Sequence, residues 1–115
     1  MATLNTSATG TVVSSVGDEN TYVTLSVSRL NNRFELVSVM TSYSPLTGNY
    51  LTAELARELA QDEDEAIAIA TDLEYAAQDE LKVMDIDFYK EPCGFPEALE
   101  RHFDNGRYAA AIAAE

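Results

Sequence analysis

The chain has 115 residues, 46% of them apolar, and its 20 acidic and 7 basic side chains leave a net charge of −13. That length supports one modest core rather than two, and no run approaches the roughly 20 consecutive apolar residues of a membrane-crossing helix, so a soluble single domain spanning residues 1–115 is expected. Charge of this sign argues against direct binding to nucleic acid or to anionic lipid, because phosphate neutralisation needs clustered Lys and Arg.

Met1-Ala2-Thr3-Leu4-Asn5 has neither the basic start nor the apolar run of a secretory signal, and the single cysteine, Cys93, has no partner for an internal disulfide. The expected setting is therefore the reducing cytoplasm, where the sequon Asn5-Thr6-Ser7 would go unread. Apart from Met1 and Leu4, residues 1–10 hold no large apolar side chain and read as a frayed end.

Strand patterning follows. Thr11 to Val16 is rich in Val, Ser and Thr, and Thr21 to Arg29 alternates Val23, Leu25 and Val27 with Tyr22, Thr24, Ser26 and Ser28, as a half-buried strand does. Gly17-Asp18-Glu19-Asn20 and Asn31-Asn32 supply the turns. A third strand, about Arg33 to Ser42, changes phase near Leu36-Val37, which implies a bulge or a central strand covered on both faces; the sheet centre is the preferred place.

Beyond the loop Tyr43 to Asn49, Leu51, Leu55 and Leu59 recur every fourth residue, and the spacing predicts a short amphipathic helix capped by Thr52. Asp62 with Glu65 resembles a capping box, opening a second helix whose apolar stripe is Ala66, Ile69, Ala70, Leu73, Ala76 and Ala77. From Leu81 to Lys90, Met84, Ile86 and Phe88 alternate with Asp85 and Asp87; this reads as an edge strand, with a further helical turn as the alternative. After Pro92 and Gly94, a short helix is expected from Phe95 to Phe103, then a turn at Asp104-Asn105-Gly106 and a last helix from Arg107 to Ala114. Strands followed by helices give an α+β class: a three- or four-stranded antiparallel sheet with helices packed on one face.

Reactive groups are few. His102 is the only histidine and Cys93 the only cysteine, so a zinc site lacks a second pair of ligands, and a Cys-His nucleophilic pair lacks an activating environment. Asp85-Ile86-Asp87 resembles an Asp-x-Asp metal element, but two acids alternating on a strand point to solvent together for packing reasons alone, which is the favoured explanation. Asp62-Glu63-Asp64-Glu65 lacks the glycine and distant glutamate of a calcium loop. No phosphate-cradling or nucleophile-elbow motif occurs. No enzyme activity, metal or other cofactor is expected.

What remains is the distribution of charge. Residues 1–50 carry three acids and two bases, whereas Glu54 to Glu91 carry 13 acids against Arg57, Lys82 and Lys90. On the second helix Glu65, Asp72 and Asp79 repeat every seven residues, about 10 Å apart along one flank. The candidate partner-binding set is Asp62, Glu63, Asp64, Glu65, Asp72, Asp79, Glu80, Asp85 and Asp87. Such a row offers carboxylates to Arg and Lys side chains that otherwise hold phosphates. A solvated face kept for solubility is the competing explanation.

A small, strongly acidic chain without catalytic residues, built as a sheet plus helices, resembles the phage-encoded inhibitors of bacterial defence, the anti-CRISPR proteins. The resemblance lies in general character and in no signature residue. It implies an inhibitor in the host cytoplasm that blocks the basic nucleic-acid-binding surface of a partner, such as a CRISPR effector, by DNA mimicry. The alternative from another class is a self-associating accessory or structural protein that binds through apolar helix surface or a sheet edge, with a homodimer as one outcome.

Overall fold

The computed structural model describes residues 10–114, so the end expected to fray lies, but for Gly10, outside the described residues. Its elements are strands β1 (Thr11–Gly17), β2 (Thr21–Leu30), β3 (Arg33–Ser44) and β4 (Asn49–Ala60), helix α1 (Glu63–Val83), strand β5 (Tyr89–Glu91) and helix α2 (Phe95–Ala114). The strands form one antiparallel sheet in the order β4-β3-β2-β1-β5, with five strands rather than three or four. The class is α+β.

Turn chemistry sets the first hairpins. Asn31 adopts φ 59 between β2 and β3, the left-handed geometry that Asn tolerates. Gly17 sits at φ 138, where a Cβ would come within 2.4 Å of the Thr21 carbonyl oxygen, so only glycine closes the β1–β2 turn. Asp18 completes that turn, its carboxylate accepting from the backbone N–H groups of Asn20 and Thr21 at 2.8 and 2.7 Å.

The core joins Val16, Val23, Leu25, Val27 and Leu36 of the strands to Ala66, Ala70, Leu73, Ala77 and Leu81 of α1 and Phe95, Leu99 and Phe103 of α2. The strand members alternate along the chain as a single sheet face requires. The stripe expected on α1 holds at Ala66, Ala70, Leu73 and Ala77, which are buried, and at Ile69, half-buried against the core; Ala76 is exposed and Leu81 takes the place at the end.

Four expectations are corrected. The segment expected as a helix over Leu51 to Leu59 is strand β4, which pairs with β3 at eleven positions from Phe34↔Ala60 to Ser44↔Asn49. A leucine at every fourth residue suits a regular strand as well as a helix, since four is a multiple of two, although an extra residue at Leu55 sets Leu51 and Leu59 on opposite faces of β4. The choice fell to the partner: β3 is long, and Gly48 at φ 73 turns the chain back along it. The phase change near Leu36-Val37 marks no bulge in β3, whose register with β2 is unbroken; the irregularity lies in β4, where Ser38 faces Ala56 and Val39 faces Glu54, leaving Leu55 as the extra residue. The central strand is β2, not β3.

Leu81 to Lys90 is not a strand along its length. Helix α1 continues to Val83 and closes with Asp85 at φ 60, the Asp85 N–H donating to the Lys82 carbonyl at 3.0 Å and the Ile86 N–H to the Leu81 carbonyl at 2.9 Å. That pair of bonds is the Schellman closure, and Ile86 packs on the core beside it. Only Tyr89–Glu91 pairs, with Ser15 to Gly17 of β1. Lastly, α2 runs through Asp104-Asn105-Gly106 without a turn; a mid-helix glycine costs about 1 kcal/mol relative to alanine, too little to end a helix held by Leu99 and Phe103.

Candidate functional site: the acidic flank of α1

Helix α1 begins at a genuine cap. The Asp62 carboxylate accepts from the Glu65 N–H at 2.8 Å, and the Glu65 carboxylate reaches back to the Gln61 N–H, also at 2.8 Å. The Asp62 side chain thus serves a helix donor that would otherwise lack a partner, and Glu65 holds the residue just before the cap. Glu63 and Asp64 share the same first turn, where negative charge meets the positive end of the helix dipole.

From this start the nine candidate residues separate. Glu63 turns away from the others to pair with Arg107 of α2, which Asp104 holds on its other side; the two carboxylates keep the Arg107 guanidinium raised above its ordinary pKa. Glu63 and Arg107 line a cleft of about 530 Å³ with Arg29, Phe34, His102 and Phe103. Asp62 is the cap, and Glu65 is partly engaged by it. Asp64, Asp72, Asp79 and Glu80 are exposed on α1 and make no ion pair among the described residues. Asp85 lies in the helix-closing turn and Asp87 in the segment that follows, so they do not continue the row along a strand, as expected from the sequence. That expectation failed because the Met84, Ile86, Phe88 alternation belongs to a turn.

The residues brought together are Glu65, Asp72 and Asp79, on the flank of α1 opposite its buried stripe of Ala66, Ala70, Leu73, Ala77 and Leu81. Between Asp72 and Asp79 stands Tyr75, 64% exposed. It is three residues after one carboxylate and four before the other, which places all three on one surface strip. Sequence patterning missed Tyr75, although a large aromatic off the apolar stripe is a legible signal. An exposed tyrosine ring between two carboxylates suits an arginine, which pairs with the acids and stacks on the ring.

Not every acid on α1 is available. Glu74 accepts from the Phe95 N–H, from Lys90 Nζ at 2.9 Å and from Gln78 at 3.4 Å, and so ties α1 to the start of α2 and to β5. Its role is structural.

No family model, curated protein or solved structure matches the chain. The reading of the site therefore rests on its own geometry. Cys93 is half-buried in the loop between β5 and α2, and His102 is half-buried on α2 with its ring 5.9 Å from that of Phe103. Among the described residues no three His, Cys, Asp or Glu side chains converge as a metal site would need, and no helix is long and apolar enough to cross a membrane.

Proposed function

We propose that this chain is a non-enzymatic, cytoplasmic binding protein whose α1 flank occupies the basic nucleic-acid-binding surface of a partner protein, as a DNA-mimicking inhibitor of the anti-CRISPR type does. The observation that carries this reading is the unpaired row of Asp72 and Asp79 with Tyr75 between them, continued by Glu65. A seven-residue helical step advances about 10 Å. Carboxylates repeated at this step along one flank offer charge-assisted hydrogen bonds to Arg and Lys side chains that otherwise hold phosphates.

The geometry also separates recognition from folding. Asp72 and Asp79 make no ion pair or side-chain hydrogen bond among the described residues, so reversing their charge leaves the core and the helix cap untouched, whereas Glu65→Lys also removes a bond at the helix start. The test is capture from a bacterial lysate carrying defence systems, using wild type beside an Asp72→Lys/Asp79→Lys variant. Close interfacial charge pairs are coupled by about 1.5–7 kcal/mol, so the double reversal is expected to weaken capture more than about a hundredfold. Raised salt should release the wild-type complex as well. Equal capture by both proteins, or a complex indifferent to salt, contradicts the reading.

A further inference from the structure

We propose that two copies of this chain pair through the free edges of β4, antiparallel, about a two-fold axis between Leu55 and Ala56. This interface stands apart from the acidic flank of α1 and does not depend on it.

Among the described residues strand β4 is the sheet's outer strand on one side, twelve residues long, and its backbone groups facing away from β3 have no described strand beside them. The opposite edge carries β5, only three residues long. Leu51 and Leu59 are 62% and 50% exposed, Leu55 and Tyr50 are also exposed, and of the twelve residues only Ala60 is buried. A long edge strand with exposed leucines is an association surface unless something guards it. Glu54, Arg57 and Glu58 are the charges available as guards. Arg57, however, is drawn onto the strands by Glu35 and Glu54, each at 2.7 Å.

The bulge decides what can pair. Cross-strand partners share a face, so Tyr50, Thr52 and Glu54 lie on the face of Val39 and Thr41, and the extra residue Leu55 carries Arg57 and Leu59 onto that same face. Even positions before the bulge and odd positions after it therefore point the same way. Two β4 strands run antiparallel about the Leu55–Ala56 axis bring Thr52 opposite the partner's Leu59, Ala53 opposite the partner's Glu58 and Leu51 opposite the partner's Ala60, like face to like face. Slipping by one residue breaks this matching at every pair. Slips by two keep some of it, but only this register sets Glu54 directly opposite the partner's Arg57, twice by symmetry. Charge complementarity thus selects a second copy as the occupant, and the two sheets become one of ten strands.

Sedimentation equilibrium of the full chain tests this with wild type, Glu54→Arg, Arg57→Glu and an equimolar mixture of the two variants. Wild type is expected to be a dimer. Each variant alone places like charges opposite one another and should associate at least about tenfold more weakly. On mixing, the arginine introduced at position 54 of one variant faces the glutamate introduced at position 57 of the other, and the native Arg57 and Glu54 face each other, so dimers should return. Both variants lose the pairing within the chain, so recovery on mixing reports contact between copies alone. Should either variant lose its far-UV circular dichroism, Leu51→Lys/Leu59→Lys, at two exposed positions, replaces the pair and is expected to be a folded monomer. A monomeric wild type, a dimer that neither set of substitutions weakens, or folded single variants that stay apart on mixing overturns the proposal.

Discussion

Strand β4 and helix α1 are consecutive, and both are rich in Leu, Ala and Glu at repeating intervals, yet one became an exposed strand and the other a half-buried helix. In α1 the apolar residues recur at three and four, the unequal steps that only a 3.6-residue period brings to one face, and five of them are buried. In β4 the sequence step is always four, which a regular strand or a helix could use, but the extra residue at Leu55 splits the leucines between two faces and they remain in contact with solvent. The difference teaches that composition does not choose between helix and strand here; a waiting partner does. A β3 without β4 would be a long unpaired edge, and pairing at eleven positions outweighs the modest helix preference of Leu, Ala and Glu.

Breaking this contrast at its strongest point means truncating one leucine from each element. Leu81→Ala, at a fully buried site, is expected to cost about 2–5 kcal/mol through lost burial and the cavity left behind. Leu51→Ala, at a site 62% exposed, is expected to stay within about 0.5 kcal/mol when dilute chains are compared. Urea unfolding midpoints measure both; similar losses would mean that β4 packs against something the exposed surface does not reveal. The next effect is smaller. Asp62→Ala removes the helix cap and is expected to cost about 1 kcal/mol, whereas Thr52→Ala, the residue expected to cap the absent helix, should cost less because no helix donor depends on it.

The smallest effect concerns pH and separates the two elements again. Glu54 of β4 has its carboxyl held below the ordinary glutamate value, first by the hydrogen bond from Arg57. A folded-state value below the unfolded one contributes stability above the unfolded value, and that contribution disappears as pH falls through the folded value. Arg57→Ala should therefore destabilise the protein more at neutral pH than below the carboxylate range. Unfolding midpoints at the two pH values decide this, and an equal loss at both would remove the Arg57 ion pairs from the account.

Much of this fold was legible in the sequence, for reasons that can be located. The alternation of Val23, Leu25 and Val27 fixed β2 and its core face, Asn31-Asn32 and Gly17 fixed the hairpins, and Asp62 with Glu65 fixed the start of α1. The end of α1 was not legible, because Asp85 closes the helix in a left-handed conformation usually given to glycine, and the alternating residues around it mimic a strand. The length of α2 was hidden by Asn105-Gly106, a turn dipeptide that the packing of Leu99 and Phe103 overrode. At the acidic site, the seven-residue repeat of Glu65, Asp72 and Asp79 was readable as one flank. What spacing could not reveal was that Glu63 is bound to Arg107 and Glu74 to Lys90 across the fold, since both contacts join residues distant in the chain.

The account's central claim is that the unpaired flank of α1 takes the place of nucleic acid on a basic surface. The most direct measurement titrates the chain into a complex of the captured partner with labelled duplex DNA and follows DNA release by fluorescence anisotropy. Competitive release by wild type and none by Asp72→Lys/Asp79→Lys is the expected result. DNA that stays bound while the chain joins the complex would contradict it.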